Sequence, residues 1–141
     1  MSESSASERR SLLIAAVVLS LLSLAACRAE RGEPPPPQQV AGWRQIATFS
    51  GRGGAQLETF PIEGWTWRVR WETRNESAPG AGTFKATAHS GDSGRLLAEI
   101  ADVRGVDHDT TYVTELPHRY YLVVKSANDD WTMIVEEAVL K

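Results

Sequence analysis

Strict alternation of apolar and polar residues near the middle of the chain constrains its fold more than any other feature. Between positions 65 and 72 the two kinds of residue take turns: Trp65, Thr66, Trp67, Arg68, Val69, Arg70, Trp71 and Glu72. Successive side chains of a β-strand point to opposite faces of its sheet, so the pattern predicts a strand between a core and water. We expect Trp67, Val69 and Trp71 in that core. On the solvated face, Glu72 or an anionic surface would pair with Arg68 and Arg70.

Seven further runs of this kind occur from position 43 onward, with no long stretch of helical periodicity. The eight predicted strands cover residues 43–49, 55–62, 65–73, 83–90, 95–101, 110–116, 119–126 and 131–137. Turn-forming residues separate them. Short, evenly spaced strands are typical of an antiparallel sandwich or barrel, and eight of them favour an all-β, jelly-roll-like sandwich. Residues 120–124 are apolar throughout, which predicts a strand covered on both faces.

The first 26 residues have the composition of an export signal. Arg9 and Arg10 precede an uncharged apolar run over residues 12–24, which is the pattern of a secretory signal peptide. With Ala25 and Ala26 the run spans 15 residues, short of the roughly 20 that a membrane-spanning helix needs. We therefore predict a signal peptide rather than a retained membrane helix.

Leu24-Ala25-Ala26-Cys27 follows this apolar run. It resembles the lipobox of bacterial lipoproteins, in which the cysteine receives diacylglycerol before cleavage in front of it. The resemblance implies that Cys27 is lipidated, and two acyl chains anchor stably where one does not. Arg28, in place of the Asp that favours inner-membrane retention, implies the outer membrane where one exists, but the choice between the two membranes stays open. An ordinary signal peptide with a chance cysteine is the alternative.

Residues 28–40 contain Pro34-Pro35-Pro36-Pro37 and almost nothing that could enter a core. Such a run favours an extended polyproline II spacer with a reach of up to about 40 Å. We therefore divide the chain into a signal peptide (residues 1–26), a lipidated cysteine with a proline-rich linker (27–40) and a sandwich domain (41–141).

Charge and cysteine content exclude several classes of function. The chain has 15 Lys and Arg against 18 Asp and Glu, so it lacks the basic surplus that nucleic-acid binding requires. Its single cysteine excludes an internal disulfide and a cysteine-based zinc site. We expect no cofactor, and no metal site from three scattered histidines.

Gly91-Asp92-Ser93-Gly94 matches the core of the motif around the nucleophile of chymotrypsin-like proteases. That chemistry requires a histidine within hydrogen-bond reach of the serine and a carboxylate to orient it. The only upstream histidine is His89, and Arg95-Leu96 departs from the fuller motif. We interpret the segment as a hairpin turn, expect no catalytic residue, and keep a small envelope hydrolase as an alternative function.

Two other groups of residues are candidate binding sites. Asp107-His108-Asp109 offers oxygen ligands, but its spacing does not match a calcium loop with six to eight oxygens, so calcium binding at Asp107 or Asp109 stays open. Trp43 and Trp65 lie nearest the predicted strand ends and are the candidates for stacking on a ligand such as a sugar ring. The pattern does not decide whether Trp65 faces the core or the surface.

A second resemblance concerns the domain itself. Four segments resemble parts of bacterial β-sandwich lipoproteins: Phe49-Ser50-Gly51-Arg52-Gly53, Trp67-Arg68-Val69-Arg70-Trp71, Tyr120-Tyr121-Leu122-Val123-Val124 and Trp131-Thr132-Met133-Ile134-Val135. The last two are also similar to the end of bacterial prepeptidase C-terminal domains, which are noncatalytic modules of secreted enzymes.

Together these patterns predict a noncatalytic binding or assembly module, exported and anchored to the cell membrane or outer membrane by lipid on Cys27. The domain would face the periplasm or the exterior, with an envelope protein or a glycan as partner. A carbohydrate-binding module is a further alternative. The ligand and the oligomeric state stay open.

Overall fold

Residues 38–141 are described by a computed structural model and form nine β-strands without a helix. The strands are β1 (Val40–Arg52), β2 (Ala55–Gln56), β3 (Phe60–Ile62), β4 (Thr66–Arg74), β5 (Thr83–Ser90), β6 (Leu96–Arg104), β7 (His108–Thr114), β8 (His118–Ala127) and β9 (Asp130–Leu140). This part of the chain accordingly holds no helix of the length and apolarity needed to cross a membrane.

The strands form two antiparallel sheets. Sheet A has the order β1-β9-β4-β7, and sheet B has the order β2-β8-β5-β6. β3 pairs with β8 next to β2, so that Ala55 lies opposite Val124 and Phe60 opposite Tyr120. β2 and β3 therefore act as one interrupted strand, which corresponds to the predicted run 55–62.

Counted in this way, each sheet has four strands. The antiparallel pairs β1/β9 and β4/β7 belong to sheet A, and the pairs β2–β3/β8 and β5/β6 belong to sheet B. This is the strand order of a jelly roll. The predicted all-β, jelly-roll-like sandwich is confirmed.

The core lies between the sheets and contains the side chains that the alternation assigned to it. Trp67, Val69 and Trp71 are at most 6% exposed. Phe84 and Trp131 are also buried, and their ring centroids are 6.3 Å apart. Because aromatic rings bury large apolar areas and prefer tilted contacts at such distances, these side chains stabilise the packing of the two sheets.

Strand β8 is fully covered on one face only, whereas the sequence predicted cover on both faces. Tyr120, Leu122 and Val124 are buried, whereas Tyr121 and Val123 are only half-buried on the outer face of sheet B. Tyr121 stacks on His89, with ring centroids 5.2 Å apart. Neighbouring side chains on the same face therefore give this face its partial cover.

Two of the edge strands are irregular. The pairing of β1 with β9 has register shifts between Val40 and Gly42 and between Gln45 and Ala47. The pairing of β6 with β5 also has two shifts, at Ala86/Thr87 and at Ala88/His89 of β5. Such shifts bend a strand and increase its local twist.

The sandwich has two ends, which we name by where the chain enters. The proximal end holds Gln38, Lys141 and the connections 63–65, 91–95 and 115–117. Lys141 N donates to Gln39 O there at 3.0 Å. The distal end holds the connections 53–54, 75–82, 105–107 and 128–129.

Candidate functional site

The outer face of sheet A carries a connected group of charged and aromatic side chains away from the core. Strand pairing places Arg68 opposite Glu136 of β9 on one side and opposite Tyr112 of β7 on the other. Because paired residues project to the same face of a sheet, these three side chains form one row across it.

Glu136 holds two arginines on this face. Its Oε2 accepts a hydrogen bond from Arg68 Nε at 2.6 Å, and its Oε1 accepts one from Arg70 Nη2 at 3.2 Å. The side chains of Glu136 and Arg68 are 10% and 19% exposed, and that of Arg70 is 47% exposed. A guanidinium has five N–H donors, so Arg70 remains able to donate to a ligand.

Two aromatic side chains meet above Arg68. Trp43 of β1 and Tyr112 of β7 come from the two edge strands of sheet A, yet their ring centroids are 5.7 Å apart at an interplanar angle of 59°. Arg68 Cζ lies 4.1 Å from the centroid of the Trp43 ring, which is a cation–π distance. Tyr112 is 60% exposed, so this residue is accessible to a ligand.

A shallow depression of about 530 Å³ lies on the same face. The residues that line it include Arg70, Glu72, His108, Thr110, Thr132 and Ile134. Glu72 also pairs with Arg74, and this hydrogen bond lowers the pKa of Glu72 below its ordinary value. The depression therefore offers a cation, a carboxylate and two hydroxyls, with an exposed aromatic ring on the same face.

The structure separates the two tryptophan candidates. Trp43 is half-buried on the outer face of sheet A. Trp65 lies in the connection between β3 and β4 at the proximal end and is 58% exposed. Trp65 is thus a surface residue, which settles the question that the alternation left open.

The ion pairs on the outer face of sheet A differ from the expected pairing of Arg68 and Arg70 with Glu72. Glu72 pairs with Arg74, whereas Glu136 pairs with Arg68 and Arg70. Neither Glu136 nor Tyr112 was a candidate in the sequence. The sequence signals that could have pointed to them are the carboxylate of Glu136 near the end of a largely apolar strand and the aromatic ring of Tyr112 in a threonine-rich strand.

Gly91-Asp92-Ser93-Gly94 forms the turn between β5 and β6, with Gly94 at a φ of +71°. Ser93 Oγ accepts a hydrogen bond from Arg95 N at 3.3 Å. The ring nitrogens of His89 lie 2.9 Å from Thr87 Oγ1 and 3.0 Å from Gly94 O. Within residues 38–141, no hydrogen bond joins Ser93 to a histidine.

The carboxylates of Asp107 and Asp109 bind neighbouring amides. Asp107 Oδ1 accepts from His108 N at 2.8 Å, and Asp109 Oδ1 accepts from Thr110 N at 2.7 Å. Over the described range, no three His, Cys, Asp or Glu side chains are grouped as metal ligands would be. Calcium binding at these two residues remains open.

Glu137 forms a second buried carboxylate cluster, at the proximal end. Its side chain is 4% exposed and accepts hydrogen bonds from Arg44 Nη2 at 2.7 Å, from Glu63 N at 2.6 Å and from Gly64 N. Burial by itself raises the pKa of Glu137, but these donors outweigh it, so the pKa lies below its ordinary value. Glu137 thereby ties β1 and the β3–β4 connection to β9.

No family model matches the chain, and none of the curated proteins or solved structures compared with it is similar. The predicted lipidation site, Cys27, and the proline-rich linker before Gln38 lie outside the described residues. The function of the domain must therefore be inferred from the geometry of residues 38–141.

Proposed function

We propose that this chain is an exported lipoprotein, anchored through Cys27, whose jelly-roll domain is a noncatalytic binding module. The outer face of sheet A is its binding face. The observation that carries the proposal is the pair Trp43 and Tyr112 above Arg68, beside the depression that Arg70 lines. The anchor is supported by the sequence Leu24-Ala25-Ala26-Cys27.

The geometry of the face favours a ligand with both apolar and hydroxyl-rich surfaces. Tyr112 presents an exposed aromatic side chain on this face, and Arg70, Glu72 and Thr132 supply donors and acceptors in the depression on the same face. Binding sites commonly combine aromatic contact area with a few placed polar groups. A glycan of the cell envelope fits this combination, since sugar rings stack on aromatic faces and their hydroxyls both donate and accept.

The polar part of the face is also held in place before any ligand arrives. Arg68 is fixed by Glu136 on one side and by the Trp43 ring on the other. A preorganised surface loses less conformational entropy on binding than a mobile one. This favours recognition of a defined ligand over nonspecific adhesion.

The anchor is tested in cells. Cultures that produce the full chain or its Cys27→Ser variant are labelled with radioactive palmitate, and membranes are separated from soluble protein. We expect label and membrane association for the full chain, and neither for the variant. An unlabelled full chain would contradict lipid anchoring.

The binding face is tested with detergent-solubilised full chain in a thermal-shift screen of envelope glycans and peptidoglycan fragments, with calcium in a separate arm. A ligand that binds only the folded state raises the melting temperature. We expect a saturable shift with a glycan that the Tyr112→Ala variant reduces. If no glycan shifts the melting temperature, a glycan-binding function is wrong, and crosslinking to envelope proteins is the next experiment.

A further inference from the structure

The exposed apolar side chains of the domain are concentrated at one end. Across residues 38–141, the exposed large apolar side chains are Val40, Trp65, Leu96, Val106, Tyr112, Leu116, Val139 and Leu140. Six of them lie at the proximal end, and Tyr112 lies two residues from it on β7. Val106 is the one in the distal connections.

The proximal group comes from separate parts of the chain that the sheets bring together. Val40 pairs with Leu140, and Glu115 N donates to Trp65 O at 3.1 Å, with Leu116 next along the chain. Trp65 and Leu116 are each close to 60% exposed. Exposed apolar side chains that gather at one end of a domain make that end a candidate interaction surface.

The same end is the one at which the chain enters the domain. The 37 residues that precede Gln38, including Cys27, join it there. Lys141 is also at this end. If Cys27 carries lipid, the end with the exposed apolar side chains is the one from which the chain continues toward the lipidated residue.

Charges at the proximal end balance. The ionisable side chains there, other than histidine, are Arg44, Arg95, Arg119, Lys141, Glu63, Asp92, Glu115 and Glu137. Four are cationic and four are anionic. The end therefore has no surplus positive charge to draw it to an anionic surface, and apolar contact must supply the attraction.

We propose that the proximal end docks against the lipid surface to which Cys27 anchors the chain, with Trp65 and Leu116 in the headgroup region. This rests on the proposed lipid anchor. Tryptophan suits that position because its ring is apolar and its indole N–H reaches polar groups. Docking this end would leave the outer face of sheet A exposed beside the membrane and able to bind its ligand.

The test uses full chain purified from cells and reconstituted in phosphatidylcholine vesicles, with and without bromine-labelled acyl chains near the headgroups. The emission of Trp65 is obtained as the difference between the full chain and its Trp65→Phe variant. We expect bromine to quench this difference and the membrane to shift it to shorter wavelength. Because the charges balance, quenching should be unchanged by high salt.

A matched control places a tryptophan at the distal end, in the double variant Trp65→Phe/Val106→Trp. Val106 and Trp65 are almost equally exposed, but strand β4 with its nine residues separates them by about 30 Å. The added tryptophan should not be quenched. Equal quenching at both positions would overturn the proposal, because it would mean that the domain has no preferred side.

Vesicle flotation separates failure of docking from failure of the anchor. Protein that floats with the vesicles while Trp65 stays unquenched overturns docking and leaves the anchor intact. Protein that carries no covalent lipid and does not float with the vesicles overturns the anchor, and the docking proposal with it. Protein that floats with Trp65 quenched and the distal tryptophan unquenched supports both.

Discussion

Arg68 lies directly beneath Trp43, with its guanidinium carbon 4.1 Å from the centroid of the indole ring. The same guanidinium group donates through Nε to Glu136 at 2.6 Å. One side chain of β4 thus binds an aromatic residue of β1 and a carboxylate of β9. A long cationic side chain can do both because its planar group stacks on a ring while its edge donates hydrogen bonds.

Replacement of Arg68 by methionine should destabilise the domain. Glu136 would keep only its longer contact with Arg70, and a carboxylate that is 10% exposed would lose its shorter one. We expect the free energy of unfolding in urea to fall by about 1–3 kcal/mol. The control is Lys85→Met, which removes an exposed pair with Glu99 and Asp102 on sheet B, and it should stay near wild type. Equal losses in the two variants would contradict a special role for Arg68.

Glu137 should make stability depend on pH in the acid range. Its pKa in the folded protein lies below its ordinary value of 4.5, so its contribution is present above that pH and is lost as the pH falls through the folded pKa. Melting temperatures measured from neutral to acid pH should therefore fall less steeply for Glu137→Gln than for wild type. Glu58→Gln, at an exposed position, should keep the wild-type slope. Parallel curves for wild type and Glu137→Gln would refute the assignment.

Gly82 should not tolerate a larger side chain. A Cβ at this position would lie 2.8 Å from Oδ2 of Asp129, whose side chain is fully buried and accepts a hydrogen bond from Ser126 Oγ at 2.6 Å. Gly82→Ala should lower the free energy of unfolding by about 1–3 kcal/mol, the usual cost of overpacking. Gly42→Ala is the matched control, because a Cβ at position 42 would have no atom within 4 Å. A loss of similar size at Gly42 would show that the contact with Asp129 is not the cause.

Tyr112→Ala should weaken ligand binding while leaving the fold intact. Tyr112 is 60% exposed and lies outside the core cluster, so the melting temperature without ligand should stay close to wild type. Affinity for the glycan found in the screen should fall about two- to tenfold, as expected for loss of one aromatic contact. Tyr121→Ala removes a ring from the outer face of sheet B instead and should bind normally. The same loss in both variants would mean that sheet A is not the binding face.

Much of the fold could be predicted from the alternation of apolar and polar residues, because the two-residue period of a strand is a local property of the sequence. The burial of Trp67, Val69 and Trp71 followed from their spacing alone. The partner of Arg68 did not, since Glu136 is 68 residues away and reaches it only because β4 pairs with β9. Periodicity says which face a side chain occupies and nothing about which strand lies beside it.

The candidate site was predictable in part for the same reason. Their positions near strand ends predict that Trp43 and Trp65 reach the surface, and both do, though in different places. Tyr112 joins the candidate site only through the sheet order, which brings its ring centroid to 5.7 Å from that of Trp43. A contact between the two edge strands of one sheet depends on the order of all four strands.

The register shifts in β1 and β6 affect how copies of this protein meet one another. Both β1 and β6 are edge strands, each with a paired neighbour on one side only. Strand β1 is 13 residues long. A flat edge of that length would be a template on which a second molecule could continue the sheet. The register shifts at Gln45/Ala47 in β1, and opposite Ala86/Thr87 in β6, bend these edges and make them poor templates for a further strand. If lipid on Cys27 confines the molecules to a membrane, as we propose, these irregular edges disfavour edge-to-edge pairing between neighbouring copies.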